Sequence, residues 1–400
     1  MALKVVVSGG GIGGLALAHW LDQIGATTVV VERAPQFKAL GHYISLKGNG
    51  VEMVRRMGIL DRCEACAAPL EEVRFFTTAN HLIRSERTTA LAKTLGGYIL
   101  FRRADLQTAL FDLVRDRTDI RFGVEVTSMD LTPSGVNVRL SDGRTESADL
   151  LVGADGIHSR VRGLVFGDGF ERPLGGYYIA LTQALVHGMP AVVHCYLGTG
   201  IMINLFPVAV DALSAVIYLG PGAASPPQHE PLVMRDYLLG ACGQFPSEVR
   251  QIVGSIRSDD FMFTDAIAQV GMPHITQTRC ALVGDAAHCP TFLSGMGTSL
   301  ALQDAHILAG CLARIQHLGS ALTQYEHVMT PIAQRYRDSA LTAHRALLDG
   351  SRAKAGLRNA VLRFLPQRLL ERGTRRFFDA ERPLADVPSI AAVGVQSHSV

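Results

Sequence analysis

Neither sign of charge dominates this chain: 38 Lys and Arg stand against 36 Asp and Glu, a formal net charge of +2 over 400 residues. The basic field of a nucleic-acid binder is missing, which argues against nucleic acid as a partner. Long uninterrupted apolar runs are missing too. The longest stretch without Asp, Glu, Lys or Arg, Pro173 to Val210, is broken by Pro190, Pro207 and several glycines and alternates like strands, so no membrane span is expected. The N-terminus, MALKVVVSGGGIGGLALAHW, lacks a charged leader region and a small-residue cleavage site. Five of the six residues Gly9 to Gly14 are glycine, which reads as a strand, a loop and a helix and not as a secretory signal. Cysteine is sparse: seven scattered residues, an odd number, fit free thiols in a reducing compartment, so a cytoplasmic location is expected. Cys63 and Cys66 form a CxxC with no second pair and no histidine nearby, so helix packing is expected there and no metal site. No internal repeat or low-complexity tract occurs. At 48% hydrophobic residues, the chain can bury two or three domains' worth of core.

What is present begins at residue 3. An apolar strand (Leu3 to Val7), a glycine loop, an amphipathic helix (about Gly13 to Ile24), a turn at Gly25 and a second strand (Thr28 to Val31) ending at Glu32 make a βαβ unit. The loop fits G-x-G-x-x-G with Gly9, Gly11 and Gly14: one for a tight turn, one for close backbone approach to a diphosphate, one for packing helix on sheet. The helix start offers free N–H groups and a positive dipole end to that diphosphate. Glu32, eighteen residues beyond Gly14, suits a ribose 2′-hydroxyl and would repel a 2′-phosphate, so the site should hold FAD or NAD and not NADP.

Two later stretches repeat the theme of an apolar strand ending in an aspartate. DLLVGADGIHSRVRGLVFG, residues 149–167, ends its strand at Asp155 and continues into a short polar helix. ALVGDAAHCPTFLSGMGTSLALQDA, residues 281–305, follows the strand Cys280 to Val283 with Gly284 and Asp285, a loop through Gly295 and Gly297, and a helix from about Thr298 to Ala313.

Together, GGGIGG with Glu32, GADGIHSRVR and VGDAAHCPTFLSGMG resemble the three FAD-contacting motifs of single-component FAD-dependent aromatic hydroxylases, the para-hydroxybenzoate hydroxylase-like family. SGMGTSLAL after a cysteine-proline is similar to the polyketide hydroxylase and tetracycline destructase-like branch. The resemblance spans residue 3 to about 310. It implies that Gly9, Gly11, Ile12, Gly13, Gly14, Glu32 and Arg33 hold the ADP half, and that Gly284 and Asp285 meet the ribityl chain. The loop Gly295, Met296 and Gly297 would approach the flavin pyrimidine, and Asp155 would sit in a motif shared between FAD and NAD(P)H binding. FRRADLQTALFD, residues 101–112, adds Arg103 as a guanidinium fork for the FAD diphosphate or ribose side.

The family pattern also implies a proline at position 292 and an asparagine at 299, where this chain has Phe292 and Ser299; its Pro290 stands two places early. Phe292 is therefore expected either to reshape the pocket at the oxygen-reacting face or to mark a loop that packs differently. His288 matches the family histidine, and His288 and Phe292 are the two candidates for a catalytic part beside a flavin-centred chemistry.

Between residues 176 and 220, GGYYIALTQALV, AVVHCYLG, GIMINLFPV and LSAVIYLG suit an antiparallel sheet, with residues 71–99 contributing from the other edge. In the family such a sheet floors the substrate chamber, and Gln183, His194, Tyr196 and Asn204 are the polar candidates to face a ligand. SPPQHEP, residues 225–231, reads as a break before a helix. The tail from Ser351 to Arg376 has eight basic residues and one acid with apolar residues at helical spacing, interrupted by Pro366; domain-interface packing is favoured over a membrane surface.

The expected fold is α/β, a Rossmann-type FAD-binding domain (1–70, 100–175 and 275–340) interleaved with a substrate domain on an antiparallel sheet (71–99 and 176–274), then a C-terminal helical segment (341–400). The expected function is an FAD-dependent monooxygenase. NAD(P)H would act as a transient reductant at a surface no motif marks, and O2, through a flavin C4a-hydroperoxide, would hydroxylate an aromatic or polycyclic small molecule, polyketide-like or tetracycline-like. A flavin dehydrogenase or oxidase on the same scaffold, or a non-catalytic flavin-bearing binding protein, are the alternatives.

Overall fold

A computed structural model describes residues 3–38, 42–184, 191–209, 212–227, 230–369 and 372. Leu185 and Val186 of the first strand piece, Gln228 and His229 of the turn-rich break, and the tail from residue 370 apart from 372 lie outside the described residues.

The mixed α/β architecture is the expected one. A six-stranded sheet carries the βαβ unit, in the spatial order Thr276–Gln277, Cys280–Leu282, Leu150–Gly153, Lys4–Ser8, Thr27–Glu32, Asp119–Phe122. All neighbours are parallel except the first pair. Val5, Val6, Val7, Leu150, Leu151 and Val152 are fully buried, as strands covered on both faces must be. Helix Ile12–Gln23 packs against the 18-residue helix Gly297–Arg314, which is buried for most of its length. The three strand ends bearing Gly9, Asp155 and Asp285 thus lie side by side, because three sequence-distant strands with the same strand-glycine-acid ending are neighbours in one parallel sheet.

A seven-stranded sheet forms the second layer, ordered Phe261–Val270, Glu171–Ala184, Ala212–Leu219, Ile201–Ala209, Val192–Leu197, Glu72–Thr77, Leu82–Arg87. It is antiparallel as expected except at one seam, where Val192–Leu197 runs parallel to Glu72–Thr77. The chain reaches that edge early, through the segment 72–87, so the two sides of the seam are not joined by a hairpin.

Both faces of this sheet are covered. Ile179, Leu181, Tyr196, Ile203 and Ile217 pack with Met234, Leu238, Val249 and Val253 of the helices Pro231–Ala241 and Ser247–Gly254. The opposite face, with Tyr178, Ala180, Met202, Val216 and Tyr218, meets Phe292 and Leu293. A two-stranded ribbon, Tyr43–Lys47 with Tyr98–Arg102, is a separate small sheet. Cys63 is buried on the short helix Leu60–Ala65, and Cys66 is exposed just after it. Helix Arg352–Phe364 stops before Pro366 and packs on strand Leu82–Arg87 and helix Leu318–Leu348, with Leu357, Val361 and Phe364 left exposed. Among the described residues no helix is long and apolar enough to cross a membrane.

Candidate functional site

A cavity of about 310 Å³ runs along the ends of the parallel strands. Of the residues singled out from sequence, it is lined by Gly9, Gly11, Ile12, Gly13, Glu32, Arg33, Arg103, Asp155, Gly284, Asp285 and Gly297. Gly14 lies underneath: a Cβ there would stand 1.9 Å from the Gly9 carbonyl oxygen, so only glycine lets the helix sit this close to the loop. At Gly11 the nearest atom to such a Cβ is Arg103 Nη2 at 4.0 Å, so the loop backbone is open to the cavity at that point.

Glu32 accepts hydrogen bonds from the Gly10 amide at 2.7 Å and the Ala34 amide at 2.8 Å. These fix the carboxylate at the cavity end and leave further lone pairs for a hydroxyl donor. Arg103 is held by its backbone N–H, which donates to the His42 carbonyl at 3.0 Å, and by Nη1 donating to Gln107 Oε1 at 3.2 Å. Burial lowers its guanidinium pKa, opposed by the charges of Asp285, Tyr178 and Glu32. It is thus a desolvated cation between the two acids at opposite ends of the cleft.

At Asp285, burial pushes the carboxyl upward, partly offset by a hydrogen bond from Cys289 and by the charges of His288 and Arg103. Burial and that same carboxylate raise the Cys289 thiol well above the ordinary range. Asp155 serves the backbone instead, since its carboxylate accepts from Ser159 Oγ and from the amides of Arg160 at 2.9 Å and Val161 at 3.1 Å. It satisfies the start of helix Arg160–Phe166 while its residue still lines the cleft.

Gly295 and Met296 are not part of the cavity wall; they lie beyond it, against the two-stranded ribbon, where Ser45 Oγ donates to the Gly295 carbonyl at 3.3 Å. His288 is turned into the core. Its Nε2 lies 2.8 Å from Asp304 Oδ2, although the alignment is poor for a hydrogen bond, and both side chains are shut off from solvent. That placement makes His288 a link between the short helix Asp285–His288 and helix Gly297–Arg314, and withdraws it as a group facing a ligand. Phe292 stacks on Tyr178, centroids 4.1 Å apart and planes 4° from parallel, with His42 edge-on at 4.6 Å. Burial and the Arg103 charge hold His42 down to about 3, so it stays neutral in this wall.

The four polar candidates on the large sheet divide by face. Gln183 donates to the Ile252 carbonyl at 3.2 Å and to Ser255 Oγ at 3.1 Å, on the helical side. His194 and Tyr196 both pack on Phe76, also on the helical side. Strand alternation thus places these three on the face away from Phe292. Asn204 alone shares the face of Tyr178 and Tyr218, and its Oδ1 is buried without a partner. The sequence reading missed Val124, Glu125 and Val126, which border the cleft from a connection with no motif, as well as Ala154, Thr298 and Ala301. For the last three the signal was present, since they adjoin motif residues.

A family model for an FAD binding domain matches residues 2–198 and 264–340. The flavin-dependent monooxygenase eupH of a Phoma species is 30% identical, over 82% of this chain and 84% of that protein. The FAD-dependent monooxygenase asL4 of Sarocladium schorii is 27% identical, over 91% of this chain and 92% of its own length. Among solved structures, the tetracycline destructase Tet(55) superposes with a TM-score of 0.75 at 25% identity, covering 90% of this chain and 95% of that one. HpxO of Klebsiella pneumoniae, complexed with FAD and uric acid, gives 0.76 at 24% identity, covering 99% and 98%.

Proposed function

We propose, on the premise that this chain belongs to the FAD-binding domain family and is an FAD-dependent oxidoreductase, that it is a monooxygenase. In this reading it takes electrons from NAD(P)H and places one atom of O2 on an aromatic or polycyclic, polyketide-like substrate. The observation that carries the reading is an aromatic cluster beside Arg103 of the Glu32-to-Gly297 cleft: Phe292 stacks on Tyr178 and meets His42 edge-on, and the Arg103 amide donates to the His42 carbonyl, so a flat apolar substrate would have a surface to lie against.

The residues present fit FAD. The open backbone at Gly11 and the start of helix Ile12–Gln23 would hold the diphosphate, with Arg103 as a desolvated counter-charge. Glu32 would accept from a ribose hydroxyl and Asp285 from the ribityl chain. Bound there, FAD supplies the two-electron chemistry and the activation of O2. The protein's own part is to orient and to exclude water, and the Phe292, Tyr178 and His42 cluster gives a neutral, apolar wall for that. Residues 1–70, 100–175 and 275–340 make the FAD-binding domain in this reading. Residues 71–99 and 176–274 make the substrate domain, and 341–400 the C-terminal helical segment.

Replacing Arg103 by Met removes the buried fork while keeping its bulk. FAD titration of the apoprotein should show binding weakened roughly tenfold to a hundredfold, the worth of one or two charge-assisted hydrogen bonds. The function itself is tested with ¹⁸O₂. Holoenzyme, NAD(P)H and a panel of phenols, quinolones and tetracyclines should give substrate-stimulated NAD(P)H oxidation and a product carrying one ¹⁸O atom. Consumption of NAD(P)H that yields only hydrogen peroxide, with no labelled product from any compound, would sink the reading.

A further inference from the structure

The ribbon Tyr43–Lys47 with Tyr98–Arg102 places one charge, Lys47, that has no counter-charge among the described residues. Its register sets Lys47 opposite Tyr98 and Ser45 opposite Leu100, so these side chains share a face, while Leu46, Ile99 and Phe101 on the other face are core. The Lys47 amide donates to Ser299 Oγ at 3.2 Å, and Lys47 Nζ lies 3.0 Å from where a Cβ on Gly295 would stand. The ammonium therefore sits against the loop leading into helix Gly297–Arg314, whose first residues, Gly297 and Thr298, line the cleft. The same loop carries Phe292 and Leu293, which pack on the face of the large sheet that bears Tyr178 and Tyr218. Cys195 stands opposite Asn204 on the strand pair whose face carries Tyr218. Lys47 thus faces the junction between the cleft and the aromatic face of the large sheet.

No carboxylate among the described residues acts on this amine; burial alone moves it, down to about 8. The side chain nevertheless keeps some accessible surface, as a group on an inner wall does. A largely buried cation with no carboxylate partner among the described residues is unfavourable unless an anion arrives to pair with it.

We propose that Lys47 recognises an anionic oxygen of the substrate, so that the chamber takes compounds with an acidic hydroxyl, a phenol or an enolised 1,3-dicarbonyl, bound as phenolate or enolate. The inference rests on the monooxygenase reading for the presence of a substrate at this face. The proton balance closes either way: an ammonium pairs with a hydroxyl that has released its proton to solvent, and a neutral amine takes that proton itself. Both routes end in the same ion pair. An oxygen anion also enriches the ring that carries it in electrons, which suits oxygen transfer to carbon.

The test is equilibrium binding to FAD-loaded enzyme, followed by the flavin difference spectrum and calorimetry. The probes are 4-nitro-1-naphthol, 4-hydroxy-2-quinolone and tetracycline, the first two each set against its methyl ether. In the unaltered protein the hydroxyl compound should bind roughly tenfold or more tightly than its ether, the scale of one charge-assisted hydrogen bond, and bound nitronaphthol should show its ionised band. Lys47→Met should erase that preference and the ionised band, Lys47→Arg should restore part of both, and the flavin reduction potential should stay within about 10 mV of the unaltered enzyme, a small part of a tenfold change. A preference that survives Lys47→Met, or no hydroxyl-dependent binding across the panel, overturns the proposal. So does a lowered flavin potential with unchanged binding, which would assign the ammonium to the reduced flavin. Because these readouts need no turnover, a positive result without ¹⁸O incorporation would leave the anion site standing and remove the monooxygenase reading alone.

Discussion

Gly14→Ala is expected to give a folded protein that no longer retains FAD. The added methyl would stand 1.9 Å from the Gly9 carbonyl oxygen and 3.1 Å from its carbon, both backbone atoms with no flexible end to swing aside. Relief must come from moving the loop Gly9 to Gly11 away from helix Ile12–Gln23. Gly9 is constrained on its other side, since it is at φ +111° and a Cβ built on it would stand 2.4 Å from the Ala154 carbonyl oxygen. Overpacking of this kind costs about 3 kcal/mol. If FAD binding requires the loop to return to its place, that strain appears in affinity, on the order of a hundredfold. The ratio of flavin to protein absorbance after purification measures it, and an FAD titration gives the size. Gly356→Ala, in an open position on helix Arg352–Phe364 with no neighbour for the new methyl, is the control and should leave FAD content unchanged. Full FAD retention by Gly14→Ala would mean that the loop is not a close-packed cradle for the cofactor.

That loop also shows what was legible in the sequence. Strand, glycine spacing, helix and acid are local signals, and their ends fall within a residue or so of the observed Lys4–Ser8, Ile12–Gln23 and Thr27–Glu32. The two other strand-to-aspartate endings were legible for the same reason, and parallel pairing then brought all three together. The faces of the large sheet were not. Alternation tells which residues share a face, but strand Val192–Leu197 is buried almost throughout because helices cover one side and the Phe292 loop the other. Without a solvated side, period two carries no sign, so Gln183, His194 and Tyr196 could not be told from Asn204. Lys47 was hidden for another reason. A lysine on a short strand reads as surface, and only the approach of a loop some 250 residues later encloses it.

The second large effect lies behind the cleft, at Asp304. Its carboxylate is fully buried and gathers the Gly284 amide at 2.5 Å, the Tyr325 hydroxyl at 2.5 Å and His288 Nε2 at 2.8 Å. One side chain thus ties helix Gly297–Arg314 to the end of strand Cys280–Leu282, to the short helix Asp285–His288 and to helix Leu318–Leu348. Asp304→Ala leaves all three groups facing a void, and denaturant unfolding should show a loss of about 3–5 kcal/mol. Asp304→Asn separates charge from hydrogen bonding. The Tyr325 hydroxyl lies 2.6 Å from the Leu282 carbonyl as well, and its single proton can turn to that acceptor. The asparagine nitrogen can then donate to the Tyr325 oxygen while its carbonyl still accepts from Gly284. Only the negative charge beside His288 Nε2 is lost, so the cost should fall to about 1–2 kcal/mol. Adding Tyr325→Phe removes the group that accommodates the amide, so the double variant should be worse than the sum of the two singles. Because Gly284 and Asp285 are the residues being anchored, FAD affinity should fall in the same order as stability across the series. An Asp304→Ala protein with an unchanged unfolding midpoint, or one whose FAD affinity is untouched while stability drops, would break the link between this buried carboxylate and the shape of the cleft.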